Sequence, residues 1–160
     1  MKIVRSIVAV VVGWVLSGIV IFAIQMVNTI AYAPGGGKPI VERMEDMKKM
    51  TEDPQAMKAY AESLPVTALL VVLLAWQIGV FIGGGVSALI AGRAQMLHAG
   101  IIGGLVLAAT VFNFINMKRQ YDFSHPDWMI IAALLLPLPA SLLAGKLVSL
   151  RSPSPPASNP

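Results

Sequence analysis

The chain has 160 residues, of which 56% are hydrophobic and only 12% charged, about half the charged share of an average soluble domain. This composition excludes an ordinary water-soluble domain and predicts an integral membrane protein. The net charge of +4 is spread thinly, without a basic stripe, which argues against nucleic-acid binding. Because the chain has no cysteine, thiol–disulfide chemistry, thiolate metal sites and covalent haem attachment are excluded.

Four apolar stretches are each long enough to cross a hydrocarbon core of ~30 Å, which takes ~20 residues. We predict an all-α fold with one membrane domain over residues 1–150, a four-transmembrane-helix bundle with helices at about 3–33, 65–92, 95–117 and 125–150. The first helix could belong to a signal peptide, but its apolar run is too long for one and Pro34 would follow the cleavage site. We therefore expect it to be retained.

The orientation follows from the first helix, which usually sets the topology and has a basic N-terminal flank. We expect both termini to be cytoplasmic. The outer loop, residues 34–64, then carries two short amphipathic helices that cap the outer side or lie on the membrane, with Asp53 as N-cap and Pro54 as first residue of the second one. The tail, residues 151–160, is predicted to be disordered.

The fourth helix has two local signals. Ser124 and Asp127 have the spacing of a capping box at its start, with Pro126 in the first turn. Pro137 and Pro139 are expected to kink it near the middle of the membrane.

A glycine-rich stretch, GVFIGGGVSALIAGR, spells G-x-G-x-x-A at Gly83, Gly85 and Ala88. A dinucleotide loop also needs a preceding strand and an acidic residue about 20 positions later, and the next carboxylate here is Asp122. We therefore predict no nucleotide site. The small residues instead repeat at helical spacing, which favours close helix packing, and we expect the second and third helices to form a tight hairpin through them. The predicted packing residues are Gly79, Gly83, Gly84, Ser87, Ala88, Gly100, Gly104 and Ala108.

No Asp, Glu, Lys or Arg lies in the middle of an apolar stretch, which argues against a proton-coupled exporter that needs a buried carboxylate. Neutral polar residues gather toward the outer side instead. Two interpretations stay open: ordinary hydrogen bonds between helices, or an outward-facing polar cup. The cup would contain Gln25, Asn28, Gln77, Asn113, Asn116, His125 and Asp127.

Metal and cofactor sites have weak support. His98 and His125 belong to opposite ends of the bundle, so they cannot ligate one haem iron. Met44, Met47 and Met50 could present three thioethers to Cu(I), although methionine also suits the apolar face of an amphipathic helix. No cofactor is predicted, and since no nucleophile–base pair, carboxylate pair or phosphate loop is present, we expect no enzyme.

Several segments together resemble a group of small, uncharacterised bacterial four-helix membrane proteins. They are DPQAMKAYAESLP, the glycine-rich stretch, LHAGIIGG, FNFIN, HPDW and LPLPASLLAGKL, within residues 53–147. The resemblance implies a bacterial inner-membrane location and no particular activity. Members often carry an acidic residue or a histidine near the outer end of the first helix, where this chain has Gln25 and Asn28.

The sequence thus leads to three functional hypotheses. The first is a non-catalytic protein that acts through helix–helix contacts, as an accessory subunit of a membrane complex or as a homo-oligomer. The second is a small-solute or ion carrier or channel that uses the polar cup, which requires a cavity between the first and third apolar helices at Gln25 and Asn113. The third is Cu(I) binding by the methionine stripe. The expected partners are the lipid bilayer and other membrane subunits or a second copy, with neither nucleic acid nor nucleotide.

Overall fold

The computed structural model describes residues 2–33 and 38–151. These residues form seven α-helices and no strand: α1 (Lys2–Tyr32), α2 (Ile40–Glu52), α3 (Pro54–Ser63), α4 (Val66–Ala91), α5 (Gln95–Tyr121), α6 (Asp127–Leu135) and α7 (Pro137–Arg151). Four segments are long and apolar enough to cross a membrane. They are α1, α4, α5 and the continuous segment that α6 and α7 form together. The all-helical prediction is confirmed, and the four segments fit a multi-pass membrane protein.

Some predictions fall on residues outside this description. The helix-breaking segment Pro34–Gly37 and the part of the predicted disordered tail that follows Arg151 lie outside the described residues.

The α5 helix is longer than predicted. It continues past its expected end at Met117 as far as Tyr121. Lys118 and Arg119 in its last turn favour this extension, because cations stabilise the C-terminal end of a helix.

The α4 helix occupies the centre of the helix assembly. It contacts α1 most extensively and also packs against α5 and α7, whereas α1 and α5 touch each other only slightly. Fully buried residues mark the junction, among them Val80 on α4 and Ile102 on α5. Because α1 and α5 both lean on α4 but barely meet, a groove is left between them.

Small residues make the close helix contacts. The α4 and α5 helices pack against each other as predicted, but the partner predicted for the α4 glycines was wrong. An added Cβ at Gly79 would overlap Ile21 and Ser17 on α1, and one at Gly83 would overlap Ser17 and Gly13. A Cβ at Gly84 would lie 3.3 Å from Ser141 on α7. The small residues of α4 therefore make their closest contacts with α1 and α7. The physical reason is that α1 offers its own pair of small residues, Gly13 and Ser17, one turn apart.

The small residues predicted to pack on α5, namely Gly100, Gly104 and Ala108, do not all make close contacts. A Cβ at Gly100 would meet Leu142 on α7, and one at Gly104 would meet no atom within 4 Å. Ala108 is exposed, whereas Ser87 and Ala88 on α4 are both fully buried. The closest α5–α7 contact uses Gly103, which the sequence analysis did not select and which faces Ser141.

Two arginines each cover the C-terminal end of a helix. Arg5 on α1 donates to the carbonyl oxygen of Ile90, beside the left-handed Gly92 that ends α4. At the other end of the molecule, Arg43 on α2 donates to the carbonyl oxygens of Ile30 and Ala33, at the end of α1. Each guanidinium satisfies carbonyl groups that a helix terminus leaves without partners.

The two short helices of the 34–64 segment form where the sequence places them. Asp53 is the N-cap of α3, and its Oδ1 accepts hydrogen bonds from the backbone N–H groups of Gln55 at 2.9 Å and Ala56 at 3.3 Å. Pro54 is the first residue of that helix. Both predictions are confirmed, and we call the end of the molecule that carries these helices the α2–α3 end.

The fourth apolar segment begins differently from the prediction but breaks at a proline that was expected to kink it. Pro126, not Ser124, is the N-cap of α6, and no side chain caps this helix, so the predicted capping box was wrong. The ring of Pro126 holds φ at −56°, which fixes the start of the helix without a side-chain hydrogen bond. The segment is interrupted at Leu136, and α7 begins at Pro137, which agrees with the expected effect of this proline.

A charged contact joins α3 to the end of α5. The Asp122 carboxylate accepts from Lys118 Nζ at 2.6 Å and from Lys58 Nζ at 3.1 Å. These hydrogen bonds, first that of Lys118 and then that of Lys58, lower the pKa of Asp122 to about 2. A carboxyl whose pKa is lowered on folding stabilises the fold above its unfolded value near 3.8 and loses that contribution as the pH falls toward 2.

We expect Asp122→Asn to loosen α3 without disturbing the core. Asparagine tolerates the left-handed backbone of this residue, whose φ is 48°, so the change removes mainly the charge. Amide hydrogen exchange at pH 7, followed by mass spectrometry, is expected to become severalfold faster in residues 54–63. Asp127→Asn is the matched control, because Asp127 is exposed and has no ion pair among the described residues; equal acceleration in both variants would contradict the contact.

Candidate binding groove

A cavity of about 540 Å³ lies between α1 and α5, with α4 as its floor. We call it the α1–α5 groove. Its lining residues are Trp14, Val15, Ser17, Gly18, Ile21 and Gln25 on α1, Val72 and Trp76 on α4, Val106, Ala109, Thr110, Asn113 and Met117 on α5, and His125. The volume falls within the range of about 300–1,000 Å³ that is common for small-molecule sites.

The groove is open along its side. Trp14 and Val15 are each 49% exposed, and Gly18, Ala109 and Asn113 are also exposed. Trp76, in contrast, is only 8% exposed and closes the floor. A ligand could therefore enter sideways between α1 and α5 as well as from the α2–α3 end.

Side chains with available polar groups gather at one end of the groove, whereas the hydroxyls of Ser17 and Thr110 deeper in it donate to carbonyl oxygens of their own helices. The part near the middle of α1 is formed by Trp14, Val15 and Ile21, whereas Gln25, Asn113 and His125 lie toward the α2–α3 end. From Trp14 to Gln25 the helix rises roughly 16 Å at 1.5 Å per residue. This is about half of a ~30 Å hydrocarbon core, the depth of one leaflet.

The polar end offers two amides with unused hydrogen-bonding groups. Gln25 and Asn113 have no hydrogen-bond partner among the residues that the structure describes. Thr110 is different, because its hydroxyl donates to the carbonyl oxygen of Val106 at 2.9 Å. An uncharged ligand group that both donates and accepts would match the two amides.

His125 forms the rim of the groove at this end. Its ring lies 4.9 Å from the ring of Phe114 and 5.0 Å from that of Phe123, measured between centroids. Burial lowers the pKa of His125 below 6.5. Burial therefore favours the neutral ring, and no Asp, Glu, Lys or Arg lines the groove.

The structure brings together three of the seven predicted cup residues, Gln25, Asn113 and His125. The other four lie elsewhere. Asn28 donates through Nδ2 to the carbonyl oxygen of Ala68 at 3.2 Å, which ties α1 to α4. Asn116 and the exposed Asp127 do not line the groove.

Gln77 was also placed wrongly in the cup. It lies two helical turns from Gly84, on the α4 face that contacts α7, and it does not line the groove. Both polar atoms of its side chain are buried without a hydrogen-bond partner. Gln77 therefore belongs to the interior of the helix assembly and not to the polar end of the groove.

The metal hypotheses gain no support from the geometry. His98 is buried near the start of α5, with Nδ1 3.0 Å from the carbonyl oxygen of Ala94, at the end opposite His125. No group of three His, Cys, Asp or Glu side chains that could hold a metal occurs in the described parts of the chain. Met44 is 50% exposed on α2, and Cu(I) binding by the methionine stripe stays a prediction.

Sequence reasoning missed the residues that give the groove its shape. Gly18 and Ala109 provide space on opposite walls, and Trp14 and Trp76 provide aromatic surface. An added Cβ at Gly18 would meet no atom within 4 Å, so this glycine is not needed for packing. The sequence signal that could have indicated the groove was Gly18, a glycine outside the predicted packing residues.

Comparisons of the chain with protein-family models, with curated proteins and with solved structures find no match. The function is therefore inferred from the residues and shape of the groove.

Proposed function

We propose that the protein is a non-catalytic membrane protein that binds an amphiphile, a molecule with a hydrocarbon chain and an uncharged hydrogen-bonding head, in the α1–α5 groove. The observation that carries this proposal is the pair of available amides at one end of a groove whose other walls are mainly apolar. The hydrocarbon chain would lie against Trp14 and Ile21, and the head would bond to Gln25 and Asn113. Amide side chains bind such a head without transferring a proton, which suits binding rather than catalysis.

The groove favours an amphiphile over an ion or a small polar solute. A cavity lies between α1 and α5 at Gln25 and Asn113, where the carrier hypothesis required one. Its deeper walls are mainly apolar, however, and the hydroxyls of Ser17 and Thr110 there already donate to carbonyl oxygens of their own helices. A path for ions needs available polar or charged groups along its length. The open side instead matches a ligand that arrives from the lipid phase.

The placement in the membrane belongs to the same proposal. Four apolar segments cross the bilayer of a bacterial inner membrane with both termini cytoplasmic, and α2 and α3 cap the outer side. Arg43 supports the cap, because it attaches α2 to the end of α1. In this orientation the polar end of the groove lies at the outer leaflet.

The accessory-subunit hypothesis loses its main argument. The repeated small residues suggested packing against a helix of another subunit. Gly79, Gly83 and Gly84 instead contact helices of this same chain. Association with other subunits or a second copy stays a prediction, and the experiment below also tests it.

Native mass spectrometry of protein purified in mild detergent tests the proposal. We expect a bound small molecule that survives purification, and retention of added monooleoylglycerol as a probe. Gly18→Leu and Ala109→Leu, which fill the groove from its two walls, are expected to reduce retention about tenfold, the effect of 1.4 kcal/mol in binding. Asn113→Leu, which preserves size but removes the amide, is expected to reduce it about fivefold through loss of one hydrogen bond.

Gly104→Leu provides the matched control. Gly104 lies on α5, an added Cβ there also meets no atom within 4 Å, and the residue lines no described cavity. Equal retention in Gly18→Leu and Gly104→Leu would contradict binding in the groove. Recovery of the protein within a larger complex would instead support the accessory-subunit hypothesis.

A further inference from the structure

A second cavity, of about 320 Å³, lies between the end of α5 and the start of α6. We call it the α5–α6 pocket. Ile115 and Ile130 form an apolar wall, and Lys118, Arg119 and Ser124 provide polar groups. His125 lines both this pocket and the α1–α5 groove and so stands between them.

The surroundings of the pocket are positively charged. Lys58, Lys118 and Arg119 carry three positive charges. Asp122, which pairs with both lysines, and Asp127 in the first turn of α6 carry two negative charges, so one positive charge remains. Arg119 is exposed and has no ion-pair partner among the described residues. Its guanidinium is therefore available to an anion.

We propose that the α5–α6 pocket binds the phosphate group of an anionic phospholipid. The guanidinium of Arg119 matches two phosphate oxygens, and the hydroxyl of Ser124 adds a donor. The acyl chain lies along Ile115 and Ile130 toward the middle of the helices. An apolar wall beside the cations distinguishes a lipid site from a site for free phosphate.

The site is independent of the proposed amphiphile groove. The groove has an uncharged polar end formed by Gln25 and Asn113, whereas the pocket has cations. The two lie on different sides of His125. Each site can therefore be removed by substitutions that leave the other unchanged.

The test uses the full-length protein in nanodiscs that contain equal amounts of phosphatidylglycerol and phosphatidylcholine, followed by native mass spectrometry of the released protein. We expect preferential retention of phosphatidylglycerol. Arg119→Gln is expected to weaken this retention about fivefold, the effect of one cation near an anionic surface. Arg119→Lys, which keeps the charge, is expected to retain most of the binding.

Three results would overturn the proposal. Arg93→Gln removes the same charge from an exposed residue at the opposite end, and an equal loss there would mean general charge attraction. Unchanged retention in Arg119→Gln would exclude the pocket. Binding of inorganic phosphate to the detergent-purified protein, with displacement of the lipid, would indicate a free anion as ligand.

Gly18→Leu is expected to leave phosphatidylglycerol retention unchanged, so failure of this site and failure of the groove are distinguishable.

Discussion

Replacement of Gly83 by alanine is expected to destabilise the protein by about 3 kcal/mol, the upper end of the range for overpacked cores. An added Cβ would overlap the Ser17 hydroxyl oxygen and the carbonyl oxygen of Gly13, and the second is a backbone atom that cannot rotate away. The two helices must therefore move apart. Unfolding in mixed detergent micelles with increasing SDS, followed by far-UV circular dichroism, measures the loss.

Two other glycines provide controls for this experiment. At Gly18 and Gly104 an added Cβ meets no atom within 4 Å, so alanine there is expected to be neutral or slightly stabilising, since glycine is the poorer helix former. If Gly83→Ala unfolds at the same SDS fraction as Gly104→Ala, α1 does not pack on α4 as described.

Truncation of Ile102 to alanine is expected to destabilise the protein by about 2 kcal/mol, the lower end of the range for large-to-small changes in soluble cores. The lower end applies because lipid is as apolar as the interior, so the loss comes from packing and not from transfer out of water. Ile102 is 0% exposed and packs with Val80 and Val106. The same SDS titration measures the change.

Ile101 is the matched control on the same helix. It is 38% exposed, and its truncation removes contacts that lipid can replace, so little change is expected. A larger loss for Ile101→Ala than for Ile102→Ala would mean that α5 presents a different face to α4.

The groove depends on the same packing that these two predictions test. Gly13 and Ser17 hold α1 against Gly83 of α4, while α1 and α5 meet only slightly. Because α1 packs closely on α4 and not on α5, space is left open between α1 and α5. We expect substitutions that separate α1 from α4 to change ligand retention as well as stability, whereas Gly18→Leu changes retention alone.

Local features of the chain predict most of its helices, apart from the end of α5 and the start of α6. The length and apolarity of four segments identify the candidate membrane helices, because each must satisfy its backbone hydrogen bonds internally. Asp53 and Pro54 set where α3 begins, and Pro137 sets where the fourth segment breaks, because each acts on backbone groups within one turn.

Which helix faces meet depends instead on packing across the whole molecule. Glycine spacing identifies helix faces that permit close approach, but it does not specify the partner helix. Gly83 was expected to pack against α5, and it packs against α1 instead. Gln25 and Asn28 lie three residues apart, yet one lines the groove and the other bonds to α4. The rotation of each helix about its axis separates such neighbours, and that rotation depends on contacts with residues distant in the chain.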